Sequence, residues 1–178
     1  FRDSVAEWLT QVLPADVYVS VPGGQDEKFR AVFRPELIAA LQSAPQAVGV
    51  STYQRTRLHL RGGHGEGEIE VCGMAPTPAV LRGFGFVTGD DVQGREALVR
   101  GEGAWVSEPL AFRWGLQIGD RLTMTMANGS ATIPIAAVHR DYSNERGEVI
   151  VGKNWLDAHA QVGITAMALQ GAAGLDVE

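Results

Sequence analysis

Chemistry in a protein needs reactive side chains at workable spacings, and this sequence offers few. A nucleophile elbow would read Gly-x-Ser-x-Gly, because the sharp turn leaves no room for side chains beside the serine; the chain contains no such run. A triad can be composed on paper from Ser107, His139 and Asp141, as it can from almost any chain of 178 residues. A helix-capping role accounts for Ser107 in Trp-Val-Ser-Glu-Pro more simply. The four histidines are His59, His64, His139 and His159, and none forms a His-Glu-x-x-His or His-x-His pattern. His64-Gly-Glu-Gly-Glu68 could hold an ion weakly, but a solvated hairpin tip is the simpler account. No catalytic, cofactor-binding or metal-binding residue is therefore assigned.

The remaining motifs also read as structure. Gly83-Phe-Gly-Phe-Val-Thr-Gly89 looks like a glycine loop, yet it lacks the Gly-Lys-Ser/Thr that cradles phosphate, and no clear helix follows it. Glu66, Glu68 and Glu70 share one parity opposite Ile69 and Val71, the pattern of a half-buried strand with a wet face. Cys72 is the single cysteine, so an intrachain disulfide and a cysteine-based zinc cluster are excluded. Its place in an alternating stretch marks it as a buried thiol.

The elements that must position these residues can be read from periodicity. Val5, Trp8, Leu9, Val12 and Leu13 form a helical stripe over residues 2–13, stopped by Pro14. Asp16 to Val21 alternates as a strand, Pro35 opens a second helix, and Val48 to Leu60 reads as a long strand. A helix lies between these two strands, so they are expected to pair in parallel. After the Gly-rich turn at residues 62–67 the chain returns as a strand through Glu68 to Met74, a hairpin with a flexible tip. Residues 74–91 read as loop, 94–101 as a short helix, 104–107 as a strand and 108–114 as a helix capped by Ser107, with Pro109 in its first turn. Two strands, 121–126 and 131–138, flank Asn128-Gly129, a strong hairpin signal. Pro134 marks the second of them as an edge or bulged strand. A strand at 148–151, a helix at 154–160 and a strand at 163–170 complete the chain.

This order gives an α+β fold in two lobes. A strand–helix–strand lobe combines residues 1–60, including the N-terminal helix at 1–13, with residues 148–178. A β-rich lobe, 61–147, is inserted into it. Hydrophobic residues make up 45% and charged residues 20%, so general disorder is not expected. Residues 1–60 balance in charge, so the formal net charge of −6 lies in residues 61–178. That acidity argues against a nucleic-acid partner, whose phosphates demand a basic footprint. No apolar run approaches the roughly 20 residues that span a bilayer. The chain starts at Phe1, and Asp176-Val-Glu178 resembles the first turn of a helix, so the expectation is an excised piece of a longer protein.

One stretch is more distinctive than its composition. Residues 103–122 read GAWVSEPLAFRWGLQIGDRL, and residues 138–151 read VHRDYSNERGEVIV. Together they resemble the extracytoplasmic domain of bacterial ABC-transporter permeases of the FtsX/MacB-like family. In that family a short strand ends in a Ser-Glu step, a helix follows, then Gly-Leu-x-x-Gly-Asp, then a hairpin; an Asp-Tyr-Ser-x-Glu-Arg-Gly segment follows in one branch. The family motif falls here on Ser107, Glu108, Pro109, Gly115, Gly119, Asp120, Asp141, Tyr142, Arg146 and Gly147. Their physical reading is a scaffold: glycines at backbone conformations closed to other residues, with Gly115 where a helix C′ glycine belongs, and Asp120 bracing a turn.

The resemblance implies a MacB-like periplasmic core domain with no enzymatic activity of its own, at the extracytoplasmic face of the bacterial inner membrane, in a membrane-spanning parent. It would couple ATP-driven motion of the membrane helices to export or extraction of a lipoprotein, peptide or hydrophobic cargo. The implied partners are a separate cytoplasmic ATPase subunit, a second permease copy, and a periplasmic partner or lipoprotein cargo. Two alternatives are a stand-alone periplasmic binding or adaptor domain, and a small hydrolase acting through Ser107.

Overall fold

A computed structural model describes residues 15–20, 29, 32–141 and 146–172 of the chain. The helix expected over 2–13 and the motif residue Tyr142 lie outside the described residues. The strands are β1 (Val17–Ser20), β2 (Ala47–Gly62), β3 (Gly65–Ala75), β4 (Phe86–Thr88), β5 (Ala104–Ser107), β6 (Arg121–Met126), β7 (Gly129–His139), β8 (Glu148–Gly152) and β9 (Ala166–Gly171). The helices are α1 (Pro35–Gln42), α2 (Pro78–Gly83), α3 (Asp91–Arg100), α4 (Glu108–Trp114) and α5 (Lys153–His159).

The chain divides into two compact units, one of residues 1–52, 76–84 and 164–178, the other of 53–75 and 85–163. The sequence placed the boundaries at 60 and 148 instead. The strand–helix–strand run from β8 falls across the observed boundary, because β8 and α5 pack with β3 in the second unit while β9 belongs to the first.

In the first unit β9 lies between β1 and β2. β1 pairs antiparallel with β9, from Val17 opposite Leu169 to Ser20 opposite Ala166. The expected parallel pairing of the first two strands is therefore corrected: β9, from the far end of the sequence, occupies the position between them. Asp16 fixes the end of this ladder twice, donating its backbone N–H to the Leu169 carbonyl at 3.0 Å and accepting from the Gly171 N–H at 2.7 Å. Residues 74–91 are not loop throughout. Thr77 caps α2 by accepting from the Val80 N–H, and the Ser51 hydroxyl accepts from the Thr77 N–H at 2.8 Å. Two prolines hid this single helical turn, which needs Pro78 only at its first position, where a proline is tolerated.

In the second unit the pairings close on themselves. β2 neighbours β3, β3 pairs in parallel with β8, β8 antiparallel with β5, β5 in parallel with β7, β7 antiparallel with β6, and β6 antiparallel with β2. This is a closed six-stranded barrel. Alternate residues of each strand must then point inward, and the register shows which. Leu60 faces Met124, Leu122 faces Ile133, and Val71 and Val106 both face Val149, all members of one buried cluster.

Helices close the two ends. At the β2–β3 turn, the His64 N–H donates to the Trp114 carbonyl at the end of α4, and a Cβ on Gly65 would overlap the Trp114 indole. The tip is thus seated against α4. At the other end of β3, a Cβ on Gly73 would strike Leu156 of α5. On the outside, α3 covers β5: the Trp105 indole N–H donates to the Gly94 carbonyl at 2.8 Å, and the Trp105 ring meets Phe86 edge-on.

Two sequence-level details are revised. The β6–β7 turn residues are Ala127 and Asn128, with Gly129 already paired to Met126. Neither turn residue has positive φ, as a primed hairpin turn would require; Gly129 carries it instead, at +129°. Pro134 is not on an edge strand, since β7 pairs with β4, β5 and β6. It sits where pairing with β6 ends and pairing with β5 begins, beside a register irregularity, so its missing N–H falls at the changeover between ladders. Leu122→Ala would leave a cavity inside the barrel and should cost about 2–5 kcal/mol in chemical denaturation, whereas Val92→Ala on the exposed face of α3 should cost less than about 0.5 kcal/mol.

Candidate functional site

The barrel's outward face carries a row of polar side chains that ring closure brings together. Glu70 on β3 is in register with Glu148 on β8, and Ser107 on β5 is in register with His139 on β7. The Glu148 N–H donates to the Ser107 hydroxyl at 3.0 Å, joining the two pairs into one row across four strands. The next row along the barrel is mostly apolar: Cys72, Ile150, Trp105 and Ala137. Position along the strands therefore separates an apolar seat for α3 from a polar band.

That band is poorly hydrated. Relative exposure is 0% for Ser107, 1% for His139 and 8% for Glu70. Arg55 on β2 reaches Glu70 with Nη1 at 2.6 Å and lies 3.9 Å from Glu148 Oε2. Glu148 Oε1 lies 3.9 Å from His139 Nε2, beyond a hydrogen bond. Burial, aided by the neighbouring Asp141 and Glu70 carboxyls and a hydrogen bond to Asp141, pushes the Glu148 carboxyl up to about 7, against the pull of Arg55. Burial moves His139 the other way, below its ordinary value, against the pull of Asp141. Burial also pushes the Cys72 thiol up to about 12, which keeps it protonated and unreactive.

The family-motif residues lie around one end of this row. Ser107 precedes α4 but makes no side-chain cap to it; its hydroxyl serves the Glu148 N–H instead, which corrects the expected helix-capping role. Pro109 occupies the first turn of α4 and Glu108 begins it. Gly115 ends α4 in the left-handed region at φ +64°, and Leu116 N–H bonds back to the Ala111 carbonyl. Gly119 has φ +89°, and Asp120 accepts from the Gln117 N–H at 2.8 Å, bracing the turn into β6. Arg113 donates to the Arg146 carbonyl. Gly147 has φ +74° and packs where a Cβ would collide with Leu110 and the Ser107 hydroxyl. Nine of the ten motif positions fall among the described residues, and all nine lie in or beside α4, in the turn after it, or beside the start of β8.

Sequence reasoning missed Arg55, Glu148 and the burial of Glu70. Glu66 and Glu68 are exposed as expected, and Glu66 accepts from the His59 ring at 2.8 Å, but Glu70 is drawn into the buried band by Arg55. The signal lay in Arg55, a charge within a long strand of mainly uncharged residues. Ser107, His139 and Asp141 do come into one region. The serine and histidine are sealed from solvent, and the serine oxygen is engaged by a backbone N–H. Among the described residues no group of His, Cys, Asp and Glu is arranged to hold a metal ion.

No family model matches the chain. It is 27% identical over 165 residues to an uncharacterized ABC transporter permease protein of Mycobacterium tuberculosis, a match covering 90% of this chain and 19% of that protein. The chain thus spans about a fifth of the length of the curated relative it matches. Among solved structures it is similar to the extracellular domain of the noncanonic ABC-type transporter YknZ from Gram-positive bacteria, with a TM-score of 0.62, 14% identity, and coverage of 88% of this chain and 83% of that one. It is also similar to the periplasmic region of MacB from Actinobacillus actinomycetemcomitans, with a TM-score of 0.65, 9% identity, and coverage of 90% and 75%. The resemblance drawn from residues 103–122 and 138–151 is borne out, and the chain has the α+β fold of the MacB-like periplasmic domain. No helix among the described residues is long and apolar enough to cross a membrane.

Gly147 and Gly119 allow a direct comparison. Both have positive φ, but only Gly147 is also sterically enclosed. Gly119→Ala should cost about 1 kcal/mol from backbone strain alone. Gly147→Ala should cost about 1–3 kcal/mol more through overpacking against Ser107 and Leu110, read as the difference in urea midpoint at equal slope.

Proposed function

We propose that this chain is the extracytoplasmic domain of an ABC transporter permease subunit and performs no chemistry of its own. It couples ATP-driven motion of the membrane helices to export or extraction of a lipoprotein, peptide or hydrophobic cargo. The observation that carries this reading is the agreement of fold with two extracytoplasmic transporter domains across 88% and 90% of the chain, joined to sequence similarity with a permease. In this reading a separate cytoplasmic ATPase subunit hydrolyses ATP, a second permease copy faces the first, and a periplasmic partner or lipoprotein receives the work.

The site geometry supports a mechanical role. The family-motif residues spend their hydrogen bonds on one another and on backbone: Ser107 on Glu148, Arg113 on Arg146, Asp120 on Gln117. A hydrolytic site would need a nucleophile open to substrate, and Ser107 is buried. The motif therefore reads as bracing for α4 and the turn that follows it.

Placement outside the membrane is testable with a thiol label. Cys72 is buried and its pKa is pushed up to about 12, so the native chain is silent to maleimide. Val92→Cys, on an exposed position of α3, should label with a membrane-impermeant maleimide in intact cells carrying the full-length parent with its other cysteines replaced by serine. Labelling only after lysis would refute extracytoplasmic placement. Coupling is tested in proteoliposomes of the parent and its ATPase: replacing residues 53–163 by a short linker should abolish cargo movement, and undiminished transport would end the coupling proposal.

A further inference from the structure

We propose that Gln54 is a latch: its side-chain amide holds residues 160–163, a strap without regular secondary structure, against the barrel, and this strap opens as a unit while the barrel stays folded. The inference goes beyond the transporter reading and does not depend on it.

Gln54 breaks the pattern of its own strand. Leu58 and Leu60, on the same side of β2, belong to or pack against the apolar cluster. Gln54 shares their parity and is 2% exposed, yet it is polar. Its Nε2 donates to the Val162 carbonyl at 2.6 Å and to Asp157 Oδ1 at 2.7 Å. Exchanging the oxygen and nitrogen of the amide would set an oxygen against a carboxylate and a carbonyl, so the two acceptors fix its orientation. Oε1 then lies over Gly73, 2.8 Å from where a Cβ would stand, and it has no hydrogen-bond partner among the described residues. Asp157 Oδ2 is held in turn by Lys153 Nζ, one helical turn earlier on α5. Burial raises the Asp157 carboxyl, but the hydrogen bonds from Gln54 and Lys153 and the Lys153 charge hold it below its ordinary value. Gln54 therefore donates to an ionised acceptor, a stronger bond than one between neutral groups.

Two opposed tendencies make this arrangement a latch. The two donated bonds favour the closed strap. The buried, unpartnered Oε1 disfavours it, because opening lets water reach that oxygen. Little else holds the strap: Gln161 and Gly163 are exposed, and Ala160 and Val162 are only partly buried against the core. A segment with few buried contacts sits at the low end of local stability. By contrast β8 is buried and paired on both sides, with β3 and with β5. Position in the chain gives the latch its consequence. The second unit begins at Tyr53 and ends at Gly163, so Gln54 stands just inside one passage of the chain between the units and Val162 just inside another. While the latch is closed, a pull on Ile164 is borne by β2 as well as by α5; once it opens, α5 bears it alone.

The hydrogens on Gln54 Nε2 read the latch directly. In the 178-residue chain their exchange with solvent is followed by 15N NMR beside that of the exposed Gln161 side chain and the backbone N–H groups of β8. Gln54 should exchange on the order of 100-fold more slowly than Gln161, at a rate that low urea leaves unchanged, whereas β8 should exchange more slowly still and accelerate as urea is added. Gln54 exchanging as fast as Gln161 means no latch, and Gln54 matching β8 in rate and urea dependence means the strap does not open by itself; either result overturns the proposal. Asp157→Asn keeps an acceptor but removes its charge, so it should speed Gln54 exchange by about fivefold or more and leave β8 unaffected. An unchanged Gln54 rate, or equal acceleration of Gln54 and β8, overturns it too.

Discussion

Ring closure in the second unit depends on β6, which pairs with β7 on one side and with β2 on the other. Without the second pairing the six strands would be an open sheet with two exposed edges, and an open sheet leaves its backbone groups available to other chains. With it, strands 121–126 and 47–62 become neighbours although far apart in sequence, and one face of every strand is committed to the interior. Leu60, Leu122, Met124 and Ile133 are fully or almost fully buried for that reason. The helices are then constrained in turn: Trp114 and Leu156 are members of the buried cluster because each lies at an end of β3, near Gly65 and Gly73 respectively. Glycine is required at both positions because the helix side chain comes where a Cβ would be.

Much of this was legible in the sequence because it is local. Alternation at Ile69 and Val71 marked the buried face of β3, Pro35 marked the start of α1, and Gly115 marked the end of α4. What was not legible came from partners distant in the chain. Nothing near Asp16 to Ser20 indicates that residues 166–171 will lie between this strand and the next. Nothing near Pro134 indicates that its strand changes partner at that point, so a rule about edge strands gave the wrong environment. Prolines and glycines give the stretch 74–91 the pattern of a loop, yet Thr77 and Asp90 each cap a helix with a side-chain oxygen. Asp90 accepts from the N–H groups of both Val92 and Gln93, which moves the start of α3 ahead of the glycine where periodicity placed it.

The polar row shows the same division more sharply. Parity grouped Glu66, Glu68 and Glu70 on one face correctly. Exposure then differs along that face, because only Glu70 lies where β2 brings Arg55 and β8 brings Glu148. A buried ion pair of this kind is weak evidence for stability, since desolvation of the charges offsets most of their attraction. Removing one partner is another matter: Arg55→Met would leave the Glu70 carboxylate buried beside a second acid. The cluster therefore ties β2, β3 and β8 together less by net stabilisation than by the cost of any arrangement that separates its members.

For the reading of this domain as a coupling element, such constraints carry a consequence. A part that conveys displacement must not absorb it by deforming. A closed hydrogen-bonded ring with a close-packed interior is a stiff object, because interiors of this density compress little and their ladders cannot slip register without turning the buried face outward. The motif residues around α4 fit the same demand. Left-handed Gly115, the braced turn at Asp120 and the enclosed Gly147 fix α4 to the barrel at its end, at the turn that follows it, and beside Leu110 in its middle. Phe112 projects from that helix with 90% of its surface exposed. A large apolar side chain in water is ordinary when it stands singly, so the rigidity of α4 and the exposure of Phe112 are separate facts. The bracing explains why this helix holds its position on the barrel.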